Sequence, residues 1–160
     1  MIRVGILTAS TLGARGERED TSGQAIRDLI ARIDARVEEY RVVTDDRSTI
    51  EQVLRDWSDE TRLDLILTTG GTGLSPTDVT PDATRAVVER EVPGLAEAMR
   101  LAGLKHTPRA MLSRAVAGVR GQTLIVNLPG SPKGVRESLG AVLEVLPHGV
   151  EILQRRPTDH

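Results

Sequence analysis

The stretch Leu63–Thr69 is a compact apolar run with few polar residues, and three glycines follow it within four positions, Gly70, Gly71 and Gly73. Such a run fits a strand buried on both faces, as at the centre of a parallel sheet. Around it, short apolar runs alternate with segments of helical period. Ile2–Thr8 reads as a first strand. Ile26, Leu29, Ile30 and Ile33 form one face of a helix within Thr21–Ala35. Val37–Val43 reads as a second strand, and Glu38 and Glu39 place it at an edge. Ser48 and Glu51 have capping-box spacing ahead of the stripe Ile50, Val53, Leu54 and Trp57. Thr80-Pro81 reads as an N-cap followed by Pro at the first helical position, opening a helix to about Glu91. Pro93-Gly94 interrupts, and Leu95–Leu104 resumes helical spacing. Thr123–Leu128 is a last strand, and Val135, Leu139, Val142, Leu143 and Leu146 mark a long closing helix. This alternation predicts one three-layer α/β/α domain over residues 1–154 with a mostly parallel sheet, then a polar tail over 155–160.

The chain has 160 residues, no Phe, one Trp and one Tyr, so its core must be aliphatic. The scarcity of aromatic residues argues against single-stranded nucleic-acid binding, which uses stacking platforms. A net charge of -2 gives no basic footprint for a nucleic-acid backbone. No Cys is present, which excludes disulfides, thiolate metal sites and Cys nucleophiles. Met1 leads straight into the first strand, and no apolar run approaches membrane-spanning length. The expectation is a cytoplasmic protein with no membrane and no nucleic-acid partner.

Ligands of such folds bind beyond the carboxyl ends of the strands. Thr68–Pro81 lies there. Its glycines let backbone N–H groups converge on an anion, and Thr69 and Thr72 add hydroxyls. The segment lacks the lysine of a P-loop. Asp78 would repel a phosphate unless a cation stood between them, and Mg²⁺ held by one or two carboxylates plus substrate phosphates is the usual solution. Asp78 reads otherwise as a turn or capping residue. Asn127–Gly134 repeats the pattern of strand end, Pro-Gly turn and helix start. Lys133 in the first turn of that helix opposes its dipole, which a bound anion would explain; a solvated lysine is the plain alternative. After the long loop Ala9–Glu19, Asp20 or Ser22 caps a helix or holds a ligand at its N-terminus. Asp45 and Asp46 end the second strand, where carboxylates also stabilise the following helix. His106, His148 and His160 show no ligand spacing, and Ser113 has no nucleophile-elbow context.

Thr68–Pro81, Ser113–Gly118 and Leu124–Lys133, together with Asp20–Gly23 and Asp45, resemble the MoaB/Mog family of molybdenum-cofactor biosynthesis. The likeness runs from about Ile2 to Val150. It implies a homotrimeric molybdopterin adenylyltransferase that moves AMP from Mg²⁺-bound ATP to the terminal phosphate of molybdopterin. The product would pass to a separate molybdenum-insertion enzyme. Asp45 and Asp78 match the family's catalytic and metal-holding acids. Gly70, Gly71, Thr72 and Gly73 match its phosphate and substrate loop, with Thr69 before it. Pro129, Gly130, Ser131 and Lys133 match its second loop. Ser10, Asp20, Ser22, Gly23 and Ser113 complete the implied contacts. Thr11 departs from the pattern, standing where many relatives carry Asp. Two other functions fit parts of the chain. A non-catalytic pterin-binding protein would keep the glycine loops and lose the acidic pair. A nucleotide pyrophosphatase of the competence-damage type would carry Leu where this chain has Thr72.

Overall fold

A computed structural model describes residues 1–155 of the chain. In chain order the elements are β1 (Ile2–Ala9), α1 (Thr11–Ala14), α2 (Thr21–Ile30), β2 (Ala35–Val43), α3 (Arg47–Asp59), β3 (Leu65–Thr69), α4 (Thr80–Val87), β4 (Arg90–Glu91) and α5 (Pro93–Leu104). Then come a 3₁₀ turn at Pro108–Leu112, β5 (Ala117–Arg120), β6 (Thr123–Leu128), α6 (Pro132–Val142), a second 3₁₀ turn at Leu143–Val145 and α7 (Leu146–Gln154). The six strands form one sheet in the order β2-β1-β3-β6-β5-β4. β2, β1, β3 and β6 are parallel, and β5 runs against both its neighbours.

The period-2 alternation of strand residues sorts the core onto two faces. Val4, Ile6, Leu65, Leu67, Leu124, Val126 and Leu128 pack against Ile26, Leu29, Met99, Val135, Leu139 and Leu146 of α2, α5, α6 and α7. Leu7, Ile66 and Ile125 pack against Ile50, Val53, Leu54, Trp57, Ala83 and Val87 of α3 and α4. These are the three layers expected from the sequence. β3 is buried along its whole length, and β2 stands at the sheet edge.

Several local expectations change. Asp46, not Ser48, caps α3, its carboxylate accepting from Thr49 N at 3.0 Å. The residue before α4 is Val79, so Thr80 already lies inside the helix and its buried hydroxyl has no partner among the described residues. That helix stops at Val87 instead of about Glu91, and the chain pairs along β5 as β4. The closing helix is broken by the turn at Leu143–Val145, because Pro147 cannot donate to a continuous helical ladder. Residues 156–160, most of the expected polar tail with His160, lie outside the described residues.

One polar residue joins the layers. Asn127 is fully buried in β6, on the face toward α4. Its Nδ2 donates to Thr68 Oγ1 of β3 and to Thr84 Oγ1 of α4, both at 2.9 Å, while its Oδ1 accepts from Val116 N at 3.1 Å. Removing it leaves two hydroxyls and one amide without this partner in the interior. Asn127→Ala should therefore cost about 2–4 kcal/mol of stability. Urea denaturation checks this, and a loss under about 0.5 kcal/mol would contradict it.

Candidate functional site

Because β1, β2, β3 and β6 are parallel, their carboxyl ends share one edge of the sheet. A cleft of about 230 Å³ opens there. It is lined by Thr8, Ala9, Ser10 and Gly13 after β1, by Arg18–Ser22 at the start of α2, by Asp45 after β2, and by Thr69, Gly70, Gly71, Asp78 and Gly130.

The glycine turn is shaped by its surroundings. Gly70 and Gly71 take φ of +92° and +67°, the left-handed region that L side chains avoid. A Cβ on Gly71 would also stand 2.5 Å from Thr80 Oγ1 and 3.5 Å from Asp45 Oδ1. Any side chain there would collide with α4 and fill the approach to the Asp45 carboxylate. Thr69 Oγ1 donates to Pro129 O at 2.5 Å, so this hydroxyl ties the two loops together instead of facing a ligand.

Three aspartates face the cleft with different sets of hydrogen-bond donors. Asp20 caps α2 and is saturated with donors: Ser22 Oγ and Gly23 N reach Oδ1, and Thr8 Oγ1 and Tyr40 OH reach Oδ2. Burial pushes its acidity constant up, but the hydrogen bonds from Tyr40, Thr8, Gly23 and Ser22 outweigh it and hold the carboxyl below its usual range. Tyr40 shifts the other way, pushed up to about 12 by burial and by the Asp20 hydrogen bond and charge, although the Arg27 guanidinium lies 4.9 Å above its ring. Asp45 is engaged on one oxygen. Thr11 N and Thr11 Oγ1 donate to Oδ2 at 3.1 and 3.0 Å. The Thr11 hydroxyl therefore supplies a donor beside Asp45, where an Asp would put a second negative charge. Asp78 also uses one oxygen: Ser75 N donates to Oδ2 at 3.0 Å, while Asp78 N donates back to Ser75 O at 2.9 Å.

The sequence-derived site residues divide into groups. Ser10, Asp20, Ser22, Asp45, Thr69, Gly70, Gly71, Asp78 and Gly130 line the polar cleft. Thr72, Gly73, Ser113 and Pro129 line a second cavity of about 440 Å³ behind the glycine loop, walled by Met99, Ala110 and Leu112 among others. Gly23, Ser131 and Lys133 line neither. Ser131 caps α6 by accepting from Gly134 N at 3.0 Å. Lys133 points to solvent with 78 % of its side chain exposed and its Nζ 3.9 Å from Glu137. Tyr40 carries no motif in the sequence and reaches Asp20 only through the fold.

Among the described residues, no three His, Cys, Asp or Glu gather as a metal-binding group. Asp45 Oδ1 and Asp78 Oδ1 have no hydrogen-bond donor from the protein among the described residues, so each keeps one oxygen that a cation completed by ligand oxygens could take. Asp20, with every donor already placed, does not. No helix among the described residues is long and apolar enough to cross a membrane.

The family model for the probable molybdopterin binding domain matches residues 5–148. The chain is 42% identical to the molybdopterin adenylyltransferase of Helicobacter pylori strain J99 over 95% of its own length and 88% of that protein. It is 41% identical to the molybdopterin adenylyltransferase of Escherichia coli K12 over 93% and 80%. The crystal structure of the molybdopterin biosynthesis enzyme MoaB from Thermus thermophilus superposes with a TM-score of 0.92 at 60% identity, covering 98% of this chain and 99% of that one.

The Asp20 network gives a test of these electrostatics. Its depressed constant contributes stability that is present above the unfolded value of about 3.9 and is lost as pH falls through the folded value. Tyr40→Phe removes a donor to the ionised form. The Asp20 midpoint in carboxyl-carbon NMR should move up, and the stability difference between neutral and acid pH should narrow. An unmoved midpoint would show that Tyr40 does not hold this charge.

Proposed function

This chain belongs to the family of probable molybdopterin binding domains, and from that premise we propose that AMP passes from ATP to molybdopterin in the cleft at the carboxyl edge of its sheet. The chain acts as a molybdopterin adenylyltransferase, a nucleotidyltransferase of molybdenum-cofactor biosynthesis. The assignment of its residues rests on one observation. Among the described residues, the charged ones lining the cleft are Glu19, Asp20, Asp45 and Asp78 against Arg18. A polyphosphate cannot enter so negative a space alone, whereas a glycine cradle flanked by half-engaged carboxylates suits a polyphosphate that arrives with a cation.

Asp45 and Asp78 would hold that Mg²⁺, which would neutralise charge on the phosphates when bound. The terminal phosphate of molybdopterin is already anionic near neutral pH. One of its oxygens forms a bond to the α-phosphorus of ATP, the bridge from the α-phosphorus to the β-phosphate oxygen breaks, and pyrophosphate leaves with the bonding pair. No strong base is needed. What the protein must supply is alignment and charge neutralisation. The backbone of Gly70, Gly71 and Gly130 lets a phosphate approach closely. Asp20, fixed by four donors, shapes the wall without taking a proton. Ser10 and Ser22 line the same space, and Thr72, Gly73, Ser113 and Pro129 offer the apolar cavity behind the loop to the ring systems of the substrates. Ser131 caps α6 at the end of the second loop, and Lys133, exposed to solvent, would meet only phosphates that extend beyond the cleft.

The working form on this reading is a cytoplasmic homotrimer that passes its product to a molybdenum-insertion enzyme. Exposed Leu101, Leu104, Met111 and Leu112, on α5 and the turn after it, support burial against a further chain.

Pyrophosphate should appear only when molybdopterin, ATP and Mg²⁺ are present together. Equal ATP breakdown without the pterin would favour the pyrophosphatase reading. Asp78→Asn keeps shape and loses charge, so single-turnover adenylylation should fall by about two to three orders of magnitude. Molybdopterin affinity without ATP should stay near that of the unchanged protein. Near-normal turnover in this variant would leave Asp45 as the main acidic group.

A further inference from the structure

Arg114 lies outside the polar cleft, yet its side chain divides its hydrogen bonds between the loop that carries Asp78 and Asp82 at the start of α4. Its Nε donates to Gly73 O at 2.8 Å and its Nη2 donates to Asp78 O at 2.6 Å. Nη1 and Nη2 also grip both oxygens of Asp82, at 3.2 and 3.1 Å, in the first turn of α4. Its own backbone N donates to Thr72 O at 2.8 Å. The side chain is 30 % exposed, so this is a partly buried fork, with geometry that a lysine cannot reproduce.

The base of the fork is itself fixed. Arg100 Nη1 donates to Ser113 O and Ala115 O at 3.3 and 2.9 Å, and Asn127 Oδ1 holds Val116 N. Among the described residues the loop has little else to hold it. Between Gly73 and Asp78 it is braced by the Ser75–Asp78 turn and by the Ser75–Thr77 hydroxyl contact, both internal to it. Gly73, Leu74, Ser75, Pro76 and Thr77 form neither helix nor strand.

We propose that Arg114 is a positioning residue of the reaction: by clamping Gly73 O and Asp78 O, the two ends of this segment, it fixes where the Asp78 carboxylate stands in the cleft. The inference rests on Asp78 being a reaction-site group, as argued above. Asp82 acts with Arg114 as the anchor that keeps the guanidinium from following the loop.

The test uses the full chain and two readouts. Hydrogen–deuterium exchange without ligand follows residues 70–79 in the unchanged protein and in Arg114→Gln, Arg114→Lys and Asp82→Asn. Exchange in that segment should quicken about tenfold or more in Arg114→Gln, with β3 and β6 unchanged. Arg114→Lys should fall between, and Asp82→Asn should show the smallest effect because both carbonyl contacts remain. In steady-state adenylylation, Arg114→Gln should lose about 10- to 100-fold in kcat, since a displacement of about 1 Å at a reacting group can cost about a hundredfold. The KM for molybdopterin should stay within about threefold. Unchanged loop exchange overturns the inference, as does faster exchange with unchanged kcat, or equal quickening in β3 and β6. If the unchanged protein releases no pyrophosphate, the adenylyl-transfer reading fails, and the exchange data still decide whether Arg114 clamps the loop.

Discussion

Asn127 makes two side-chain donations and accepts one hydrogen bond, each to a different part of the fold, with no contact to water. Its backbone N also donates to Val116 O at 3.0 Å, so residues 116 and 127 exchange a pair of bonds just before β5 begins. The Asn carboxamide oxygen stands in for a strand carbonyl there, and the ladder extends toward the site edge. A buried polar group of this kind is tolerated only when its hydrogen bonds are made. Here they set the distance between β3 and β6 at the level where both strands release their loops. The glycine turn after Thr69 and the Pro129-Gly130 turn after Leu128 therefore leave the sheet side by side, with Thr69 hydroxyl to Pro129 carbonyl as the next rung.

Beyond that rung the chemistry divides into a polar cleft lined by Gly70 and Gly71 and an apolar cavity lined by Thr72 and Gly73 of the same loop. The three cleft aspartates are alike in the sequence and differ through their donors. Asp20 is fully engaged, whereas Asp45 and Asp78 each spend one oxygen on nearby backbone or hydroxyl donors. An acid whose lone pairs are taken can order the wall. One with a free oxygen can meet a cation or substrate.

The parts of this design that could be read from sequence were those that repeat. Ile26, Leu29 and Ile30, or Ile50, Val53, Leu54 and Trp57, declare a helix face by spacing, and Leu63–Thr69 declares a buried strand by its run of apolar residues. Asp20, Asp45 and Asp78 stood out because each follows or precedes an element end. β4 and β5 were illegible: two and four residues are too short to show a period. The break before α7 was obscured by Leu143 and Leu146, which continue the helical stripe past it, although Pro147 was a usable sign. Lys133 drew notice for its charge against the dipole and lies in solvent. Arg114 escaped because its loop partners are backbone carbonyls 41 and 36 residues away, and a carbonyl has no signature in the sequence.

The direction of β5 has a consequence in time. A parallel strand would begin at the far edge of the sheet; β5 runs against its neighbours, so its start, with Arg114 just before it, lies at the edge where β3 and β6 end. The loop carrying Asp78 is synthesised well before the arginine that grips it, and the Val116–Asn127 bond that steadies the segment after Arg114 needs β6 as well. Contacts of such long sequence separation form after local helices and neighbouring strands. On the ribosome, the first helices and β1–β3 can condense while the Gly73–Asp78 segment is still loose. The acidic cleft then takes its final shape only after the last strand has been added.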